Sequence, residues 1–157
     1  METQILRQFT PTEELIQIFA VARQEAINFN SPMVTPRHLL LAIAIYGGAV
    51  VDLLANTLSL SREGLIEELR KDMNIMDSLR KTRNPTLSPA ANDYVIWAAE
   101  QAKSLDHRKL HAGHLLMSFC SDSGSYLCKL LKARIGRAGG FYEAIHKWLQ
   151  KNPENLA

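Results

Sequence analysis

Residues 34–43 read VTPRHLLLAI and residues 110–119 read LHAGHLLMSF, so a His-Leu-Leu triplet recurs in register at a shift of 76 residues. Further on, Leu53-Leu54 matches Leu130-Leu131 at a shift of 77. The shift of 76 also carries one apolar stripe onto another: Leu15, Phe19, Ala22, Ala26 and Phe29 onto Ala91, Val95, Ala98, Ala102 and Leu105. A repeat of this length indicates two copies of one structural unit.

The unit itself is predicted to be helical. Its first apolar stripe has steps of four, three, four and three residues, which is the spacing of one helix face. Thr10-Pro11-Thr12-Glu13 has the hydroxyl, proline and glutamate of a capping box, which predicts a helix from about Thr12 to Asn28. Thr35-Pro36 opens a second helix in the same way, and Gly47-Gly48 ends it.

Two more helices complete the first copy. The apolar segment 49–55 is short, and Ser61 then begins a helix that carries Leu65, Leu69 and Met73. Four helices are therefore expected before residue 75.

The second copy opens at Ser88-Pro89, although its spacing from Thr10-Pro11 differs by two residues from the shift of the repeat. We expect repeat one over about 9–75, a polar linker over about 76–86, repeat two over about 87–151, and a single domain over 1–157. The fold class is all-α: eight helices in two tandem, pseudo-twofold-related repeats. Each unit would cover the apolar surface that its twin leaves open.

Composition excludes several classes of protein. The chain has 157 residues, of which 46% are hydrophobic and 22% charged, so it is neither disordered nor of low complexity. Its longest apolar run, 39–51, is too short for a membrane span, and METQILRQF lacks the pattern of a signal segment. Cys120 and Cys128 are interpreted as reduced, buried thiols, so a cytoplasmic location is expected.

Charge is distributed unevenly along the chain. Residues 1–75 carry 6 Lys/Arg against 9 Asp/Glu, whereas residues 76–157 carry 12 against 7. The C-terminal half is mildly basic, but its cations are spread over 82 residues and form no block. Nucleic acid is therefore not an expected partner.

The doubled pattern of hydroxyl-proline start, alanine-rich helix, TPRHLLLAI and GGAVVDLL resembles the double Clp repeat. This repeat forms the N-terminal domain of Clp-type AAA+ unfoldases such as ClpB, ClpC and ClpA, and the resemblance spans about Phe9 to Trp148. It implies an all-α domain that hangs from an ATPase ring and receives substrates or adaptor proteins. It implies no catalysis and no cofactor.

The sequence contains no G-x-x-x-x-G-K-[ST] phosphate loop, so no ATPase module is expected within these 157 residues. Two interpretations stay open: a free-standing Clp-repeat protein, or the excised N-terminal domain of a full-length Clp ATPase. The tail 147–157 ends soon after the last predicted helix, which favours a free-standing protein.

One departure from the family bears on specificity. Members of the ClpC type use an acidic residue in the turn before the second helix of each repeat to recognise phosphorylated arginine. The matching positions here are Arg37 and Gly113, a cation and a residue without a side chain. A guanidinium would be repelled by the first and ignored by the second, so phosphoarginine recognition is not expected.

Three histidines suggest a rival function. His107, His111 and His114 have helical spacing and could imitate a metal site, giving a metal-binding regulator or an enzyme that reuses the fold. However, His38 occupies the position of His114 in the first copy without neighbouring histidines. We therefore interpret His114 as a structural imidazole at a helix start, expect a loop over 107–111, and assign no metal.

The aromatic residues and the cysteines are assigned to the interior. Trp97, Tyr94 and Trp148 are interpreted as core or seam residues, with an exposed apolar patch as the alternative for Tyr94, which falls off the main stripe. Cys120 lies six residues from His114, which does not place the two on one helix face for catalysis.

The predicted function is that of a non-enzymatic protein-interaction module in Clp-type protein quality control. Its expected partners are a Clp-type AAA+ unfoldase or associated protease, substrate polypeptides or adaptor proteins. A groove where the two units meet would hold a peptide or a partner helix. The candidate binding residues lie at helix starts and turns: Thr10, Thr12, Thr35, Arg37, Ser88 and His111.

Overall fold

The computed structural model describes residues 9–71, 73 and 84–152. Over these residues it has eight helices in two sets of four, which confirms the predicted fold class. The helices of the first set are α1 (Glu13–Asn28), α2 (Pro36–Tyr46), α3 (Ala49–Thr57) and α4 (Arg62–Arg70). Those of the second set are α5 (Pro89–Ser104), α6 (Ala112–Ser121), α7 (Tyr126–Ile135) and α8 (Gly139–Lys151).

Two pairs of two-residue strands join the sets. The strand β1 (Thr10–Pro11) runs parallel to β4 (Lys109–Leu110), and β2 (Met33–Val34) runs parallel to β3 (Thr86–Leu87). In each pair, a strand that precedes the first helix of one set meets a strand that precedes the second helix of the other set. This exchange gives the pseudo-twofold arrangement that the repeat predicts.

Side-chain caps explain where the helices begin. The hydroxyls of Thr12, Ser88, Ser61 and Ser125 each accept a hydrogen bond from a backbone N–H in the first turn of the helix that follows. The prediction that Thr10 caps the first helix is wrong, because Thr10 lies in β1 and Thr12 is the cap. Since Thr12 stands 76 residues before Ser88, this correction also removes the two-residue discrepancy between the copies.

A single hydrophobic cluster contains residues from all eight described helices. On α1, Leu15, Ile18, Ala22 and Ala26 are fully buried, and Phe19 packs on the cluster only in part. The predicted stripe placed Phe19 where Ile18 lies. Since the two are adjacent, this shift turns Phe19 toward the edge of the helix, where it lines a groove described below.

The sharp turn between α2 and α3 depends on a glycine. Gly47 has a φ of 85°, in the region that favours glycine, and an added Cβ there would lie 2.7 Å from the guanidinium carbon of Arg62. That guanidinium donates a hydrogen bond to the Ile45 carbonyl, which links the start of α4 to the end of α2. The predicted end of the second helix at Gly47-Gly48 is confirmed.

Most of the predicted linker, 76–86, lies outside the described residues, and Thr86 at its end belongs to β3. The repeat and domain boundaries therefore stay predictions. Within the described part of the chain, no single helix is long and apolar enough to cross a membrane. The helices α2 and α3 pass that test only as a pair, and a bend of 105° separates them.

Candidate partner-binding site

A cleft of about 530 Å³ opens beside the β1–β4 pair. Its walls come from the start of α1, the start of α3, the strand β4 and the end of α8. Three of the predicted site residues, Thr10, Thr12 and His111, lie together in its lining. The remaining lining residues are Pro11, Glu13, Glu14, Ala49, Val50, Lys109, Trp148 and Asn152. We call this feature the N-cap cleft.

The two threonines of the N-cap cleft differ in what they leave free. The Thr12 hydroxyl accepts a hydrogen bond from the Leu15 N–H at 3.2 Å and is occupied as a helix cap. Thr10 is exposed, and its backbone N–H donates to the Arg108 carbonyl at 3.2 Å across the strand pair. The Thr10 side chain is thus held at the rim of the cleft by its backbone.

His111 forms a polar wall of the cleft. Its Nδ1 accepts a hydrogen bond from the Gly113 N–H at 2.9 Å, so the neutral ring carries its proton on Nε2. That Nε2 lies 3.6 Å from Oε2 of Glu14, and the ring centre lies 5.2 Å from that of Trp148. His111 therefore joins the three helices α1, α6 and α8 at one point.

The neighbouring histidines form a chain of hydrogen bonds. Nδ1 of His114 accepts from the His111 N–H at 2.9 Å, which leaves the proton of the neutral ring on Nε2. This Nε2–H of His114 donates a hydrogen bond to Nδ1 of His107 at 2.9 Å. Burial lowers the pKa of His114 to about 3, with a smaller contribution from the charges of His107 and His111. Burial also lowers the pKa of His107.

These hydrogen bonds account for the histidines without a metal. In the part of the chain that the structure describes, no group of three His, Cys, Asp or Glu side chains is placed to hold a metal ion. The prediction that His114 and His38 are structural imidazoles at helix starts is confirmed. His38 accepts from the Thr35 N–H at 2.9 Å, as His114 accepts from the His111 N–H. The expected loop over 107–111 contains the short strand β4.

Arg37 lies away from the N-cap cleft and binds within the chain. Its guanidinium donates to the carbonyls of Leu69 and Lys71 at 2.8 and 3.0 Å and so caps the end of α4. The guanidinium carbon also lies 3.7 Å from the ring centre of Tyr126, which belongs to the other repeat. Arg37 and Tyr126 both line a separate cavity of about 210 Å³.

The other two predicted site residues are helix caps. Thr35 and Ser88 follow the paired strands β2 and β3, and both accept backbone hydrogen bonds at the starts of α2 and α5. The structure thus divides the six candidates: three line the N-cap cleft, Arg37 lines another cavity, and Thr35 and Ser88 flank the second strand pair.

The pseudo-twofold relation explains why the N-cap cleft is open. Arg37 and Gly113 are both the second residue of their helices, and Tyr126 and Ala49 are both the first residue of theirs. The aromatic and cationic pair that fills one end of the molecule is therefore replaced at the other end by two small residues. No side chain at these two positions closes the cleft.

The length of α8 explains why position 113 is a glycine. The helix α4 has 9 residues and ends where Arg37 caps it, whereas α8 has 13 residues. Leu149, in its last turns, lies where a Cβ on Gly113 would meet it at 3.1 Å. The four additional residues of α8, about one turn, also bring Trp148 and Asn152 into the lining of the cleft.

The sequence analysis missed the other residues of the cleft lining, among them Glu14, Ala49, Trp148 and Asn152. Trp148 was interpreted as a core or seam residue, and it is half-buried against the His111 ring. A signal was available for Ala49, because the comparison of the copies sets a small residue against Tyr126. No signal in the sequence brings residue 148 next to residue 14.

Two further predictions have outcomes in the structure. The assignment of Tyr94 to the core or seam is confirmed and the alternative of an exposed patch is wrong: Tyr94 is buried against Phe119, and its hydroxyl donates to Asp122. This hydrogen bond lowers the pKa of Asp122. The prediction of buried free thiols is confirmed for Cys120 and Cys128, and burial raises the pKa of Cys120 to about 12.

These features define a class of protein: an all-α domain made of two four-helix repeats joined by exchanged strands, with an open cleft at one junction. The sequence matches the family described as the Clp repeat (R) N-terminal domain over residues 10–134. The chain belongs to this family.

Solved structures show the same fold. The Hsp104 N-terminal domain from Candida albicans has a TM-score of 0.76 at 13% identity, covering 92% of this chain and 94% of that one. The N-terminal domain of the chaperone ClpD from Arabidopsis thaliana has a TM-score of 0.59 at 16% identity, covering 92% and 96%. A complex of the ClpV N-domain with a VipB peptide has a TM-score of 0.61 at 16% identity, covering 100% and 94%. A search of curated protein sequences gives no match.

Proposed function

We propose that this chain is a non-enzymatic protein-interaction module of Clp-type protein quality control. It binds a segment of a substrate polypeptide or an adaptor, or it docks on a Clp-type AAA+ unfoldase or its protease as a free-standing accessory. The alternative, that it is the N-terminal domain cut from a full-length Clp ATPase, keeps the same binding role. The mechanism is recruitment, because a weak contact raises the local concentration of a client near the unfoldase.

The observation that carries this proposal is the open N-cap cleft. Its volume of about 530 Å³ lies in the range of ligand pockets, and it offers both the Trp148 ring and polar groups at the rim. Thr10 and His111 are candidates to orient a bound backbone, and Thr12 shapes the wall as a cap. The ClpV N-domain, which shares the fold, has been solved with a peptide from VipB.

Membership of the Clp family supports a non-enzymatic role, since this N-terminal domain is an interaction domain. We expect no cofactor and no hydrolysis of ATP by the isolated chain. A cytoplasmic location is part of the same proposal, and it is supported by the two buried cysteines, which are not joined in a disulfide.

The cleft can be closed without changing the fold. Ala49→Tyr copies the residue that begins α7 in the other repeat, and Ala49 is exposed, so the new ring would project into the cleft. Asn56→Tyr is the matched control, because Asn56 is exposed on the same helix and lies outside the cleft lining.

The experiment compares native-lysate pull-downs on the wild type and the two variants, with mass spectrometry as the readout. We expect wild type and Asn56→Tyr to recover an AAA+ unfoldase, its protease or unfolded clients. Ala49→Tyr should recover at least tenfold less, while circular dichroism shows equal helix content. Recovery of none of these proteins by wild type, or equal recovery by Ala49→Tyr, would refute the proposed function at this cleft.

A further inference from the structure

A second groove, of about 360 Å³, runs along the outer side of α1. One wall is a stripe on this helix formed by Ile16, Phe19 and Arg23, and the other comes from the β2–β3 strand pair. The residues of that second wall are Val34, Pro85, Thr86 and Leu87. We call this feature the α1 groove. It shares no lining residue with the N-cap cleft.

The lining of the α1 groove is mostly apolar, with Arg23 and Thr86 as its charged and polar members. Ile16 is 51% exposed, the largest exposed fraction among the large hydrophobic side chains of the described residues. Met33, on the strand beside the groove, is also exposed. Neighbouring exposed apolar side chains around a groove are typical of interaction surfaces rather than of scattered surface residues.

Arg23 gives the groove its charge. It is the only charged residue between Glu14 and Glu25 along the chain, and the other lining residues are neutral. Among the described residues, no ion pair or hydrogen bond involves the Arg23 side chain; the nearby acid Glu25 lies 3.6 Å from Arg70 instead. The groove therefore presents an exposed cation at one end of an apolar surface.

The spacing on α1 defines a complementary partner. Ile16, Phe19 and Arg23 stand at i, i+3 and i+7, so the apolar end and the cation are separated by about 10 Å along the axis. A helix that lies along α1 would meet them with apolar side chains at i and i+4 and a carboxylate at i+7. A second copy of this chain fits less well, because parallel packing of α1 on α1 would bring the two Arg23 side chains near each other, and antiparallel packing centred on the stripe would set each Arg23 against the apolar Ile16.

We propose that the α1 groove docks an amphipathic helix of a partner protein through two apolar side chains and a carboxylate that pairs with Arg23. This surface goes beyond the proposed function, which concerns the N-cap cleft. With both sites, the chain would hold a client in the cleft and an acidic helix on α1 at the same time.

The test uses three labelled helical peptides that differ at one position. Each has leucine at i and i+4, and position i+7 is Glu, Gln or Lys. Fluorescence anisotropy gives Kd for wild type, Arg23→Glu, Ile16→Ser and the control Ile27→Ser. Ile27 is the matched control because it is an exposed isoleucine on the same helix, at 39%, and lies outside the groove lining.

We expect wild type to bind the Glu peptide about fivefold more tightly than the Gln peptide, which corresponds to about 1 kcal/mol for a partly desolvated ion pair. Arg23→Glu should prefer the Lys peptide, Ile16→Ser should weaken all three at least fivefold, and Ile27→Ser should match wild type. Thermal melts followed by circular dichroism check that each variant is folded.

Three results would overturn the inference. They are no binding of the Glu peptide, equal Kd for all three peptides, and self-association of the chain that Ile16→Ser abolishes, which would make the groove a contact between copies. The variant Ala49→Tyr separates the two proposals, because it closes the N-cap cleft and should leave peptide binding on α1 unchanged. Either site can therefore fail while the other stands.

Discussion

The two junctions between the repeats are built on one plan and filled differently. At one, the Arg37 guanidinium lies over the Tyr126 ring and caps α4. At the other, Gly113 and Ala49 hold the corresponding positions, α8 runs further, and a cleft of about 530 Å³ stays open. Duplication kept the helices, because they share one core. It left the junctions free to differ, and the cavity beside Arg37 and Tyr126, of about 210 Å³, is less than half the size of the N-cap cleft.

The junctions also differ in how deeply their capping imidazoles are buried. His38 and His114 accept hydrogen bonds from equivalent backbone N–H groups. However, His114 is 0% exposed and is also hydrogen-bonded to His107. Burial lowers the pKa of His114 to about 3, whereas an unfolded histidine has its ordinary pKa near 6.5. Below pH 6.5, His114 therefore binds a proton in the unfolded chain but not in the folded one. The free energy of unfolding falls as pH falls below 6.5.

The largest expected effect follows from that difference. Between pH 7 and pH 5, we expect His114 alone to remove about 2 kcal/mol from the free energy of unfolding. Burial also lowers the pKa of His38, with a smaller contribution from Arg37, so His38 acts in the same direction. Urea unfolding at pH 7, 6 and 5 measures the loss in wild type.

The variant His114→Gln tests the assignment. A glutamine at the third helical position can accept the His111 N–H as in an ordinary capping box, and it does not titrate. Its stability should change less with pH than that of wild type, and His38→Gln should change the slope by a smaller amount. Equal slopes for His114→Gln and wild type would show that His114 is not the group responsible.

Much of the fold could be predicted because its causes are local. Helical periodicity and hydroxyl caps lie within a few residues of each other, and the recurrence of His-Leu-Leu located the second copy. The errors at Thr10 and Phe19 were displacements of two residues and one residue, respectively. A strand pairing with residue 109 decided the first, and it cannot be seen from the neighbours of Thr10.

The site was harder to predict because it is assembled from distant segments. The sequence does show that Arg37 in one copy corresponds to Gly113 in the other. The sequence analysis used this difference only to ask which charge a ligand would need. It did not reveal that Arg37 is occupied by the carbonyls of Leu69 and Lys71, which lie more than 30 positions away. Trp148 reaches the cleft only because α8 is longer than its counterpart α4.

At the filled junction, we expect the contributions of Arg37 and Tyr126 to the free energy of unfolding to be coupled across the two repeats. Two double-mutant cycles measure this coupling. One combines Arg37→Ala with Tyr126→Phe, and the other combines Arg37→Ala with Tyr126→Leu. We expect a coupling free energy of about 1 kcal/mol with leucine, because the cation loses its ring, and almost none with phenylalanine, which keeps it. Urea unfolding supplies each value. Coupling of the same size in both cycles would mean that the Tyr126 hydroxyl, which donates to the Glu68 carbonyl, makes the contact instead of the ring.

The smallest expected effect concerns the open junction. Gly113 and Gly140 are both the second residue of a helix, and alanine at such a position gains up to about 1 kcal/mol in helix propensity. A Cβ on Gly140 would meet nothing within 4 Å, whereas one on Gly113 would lie 3.1 Å from Cδ2 of Leu149. Leu149 is fully buried and cannot give way without disturbing the core.

The two substitutions should therefore differ in sign. We expect Gly140→Ala to stabilise the protein and Gly113→Ala to destabilise it by about 0.5 kcal/mol, measured by urea unfolding at pH 7. If Gly113→Ala stabilises as much as Gly140→Ala, Leu149 does not enforce the glycine. The open cleft would then depend on the small residue at position 49 alone, and closing it would require no change in the packing of α8.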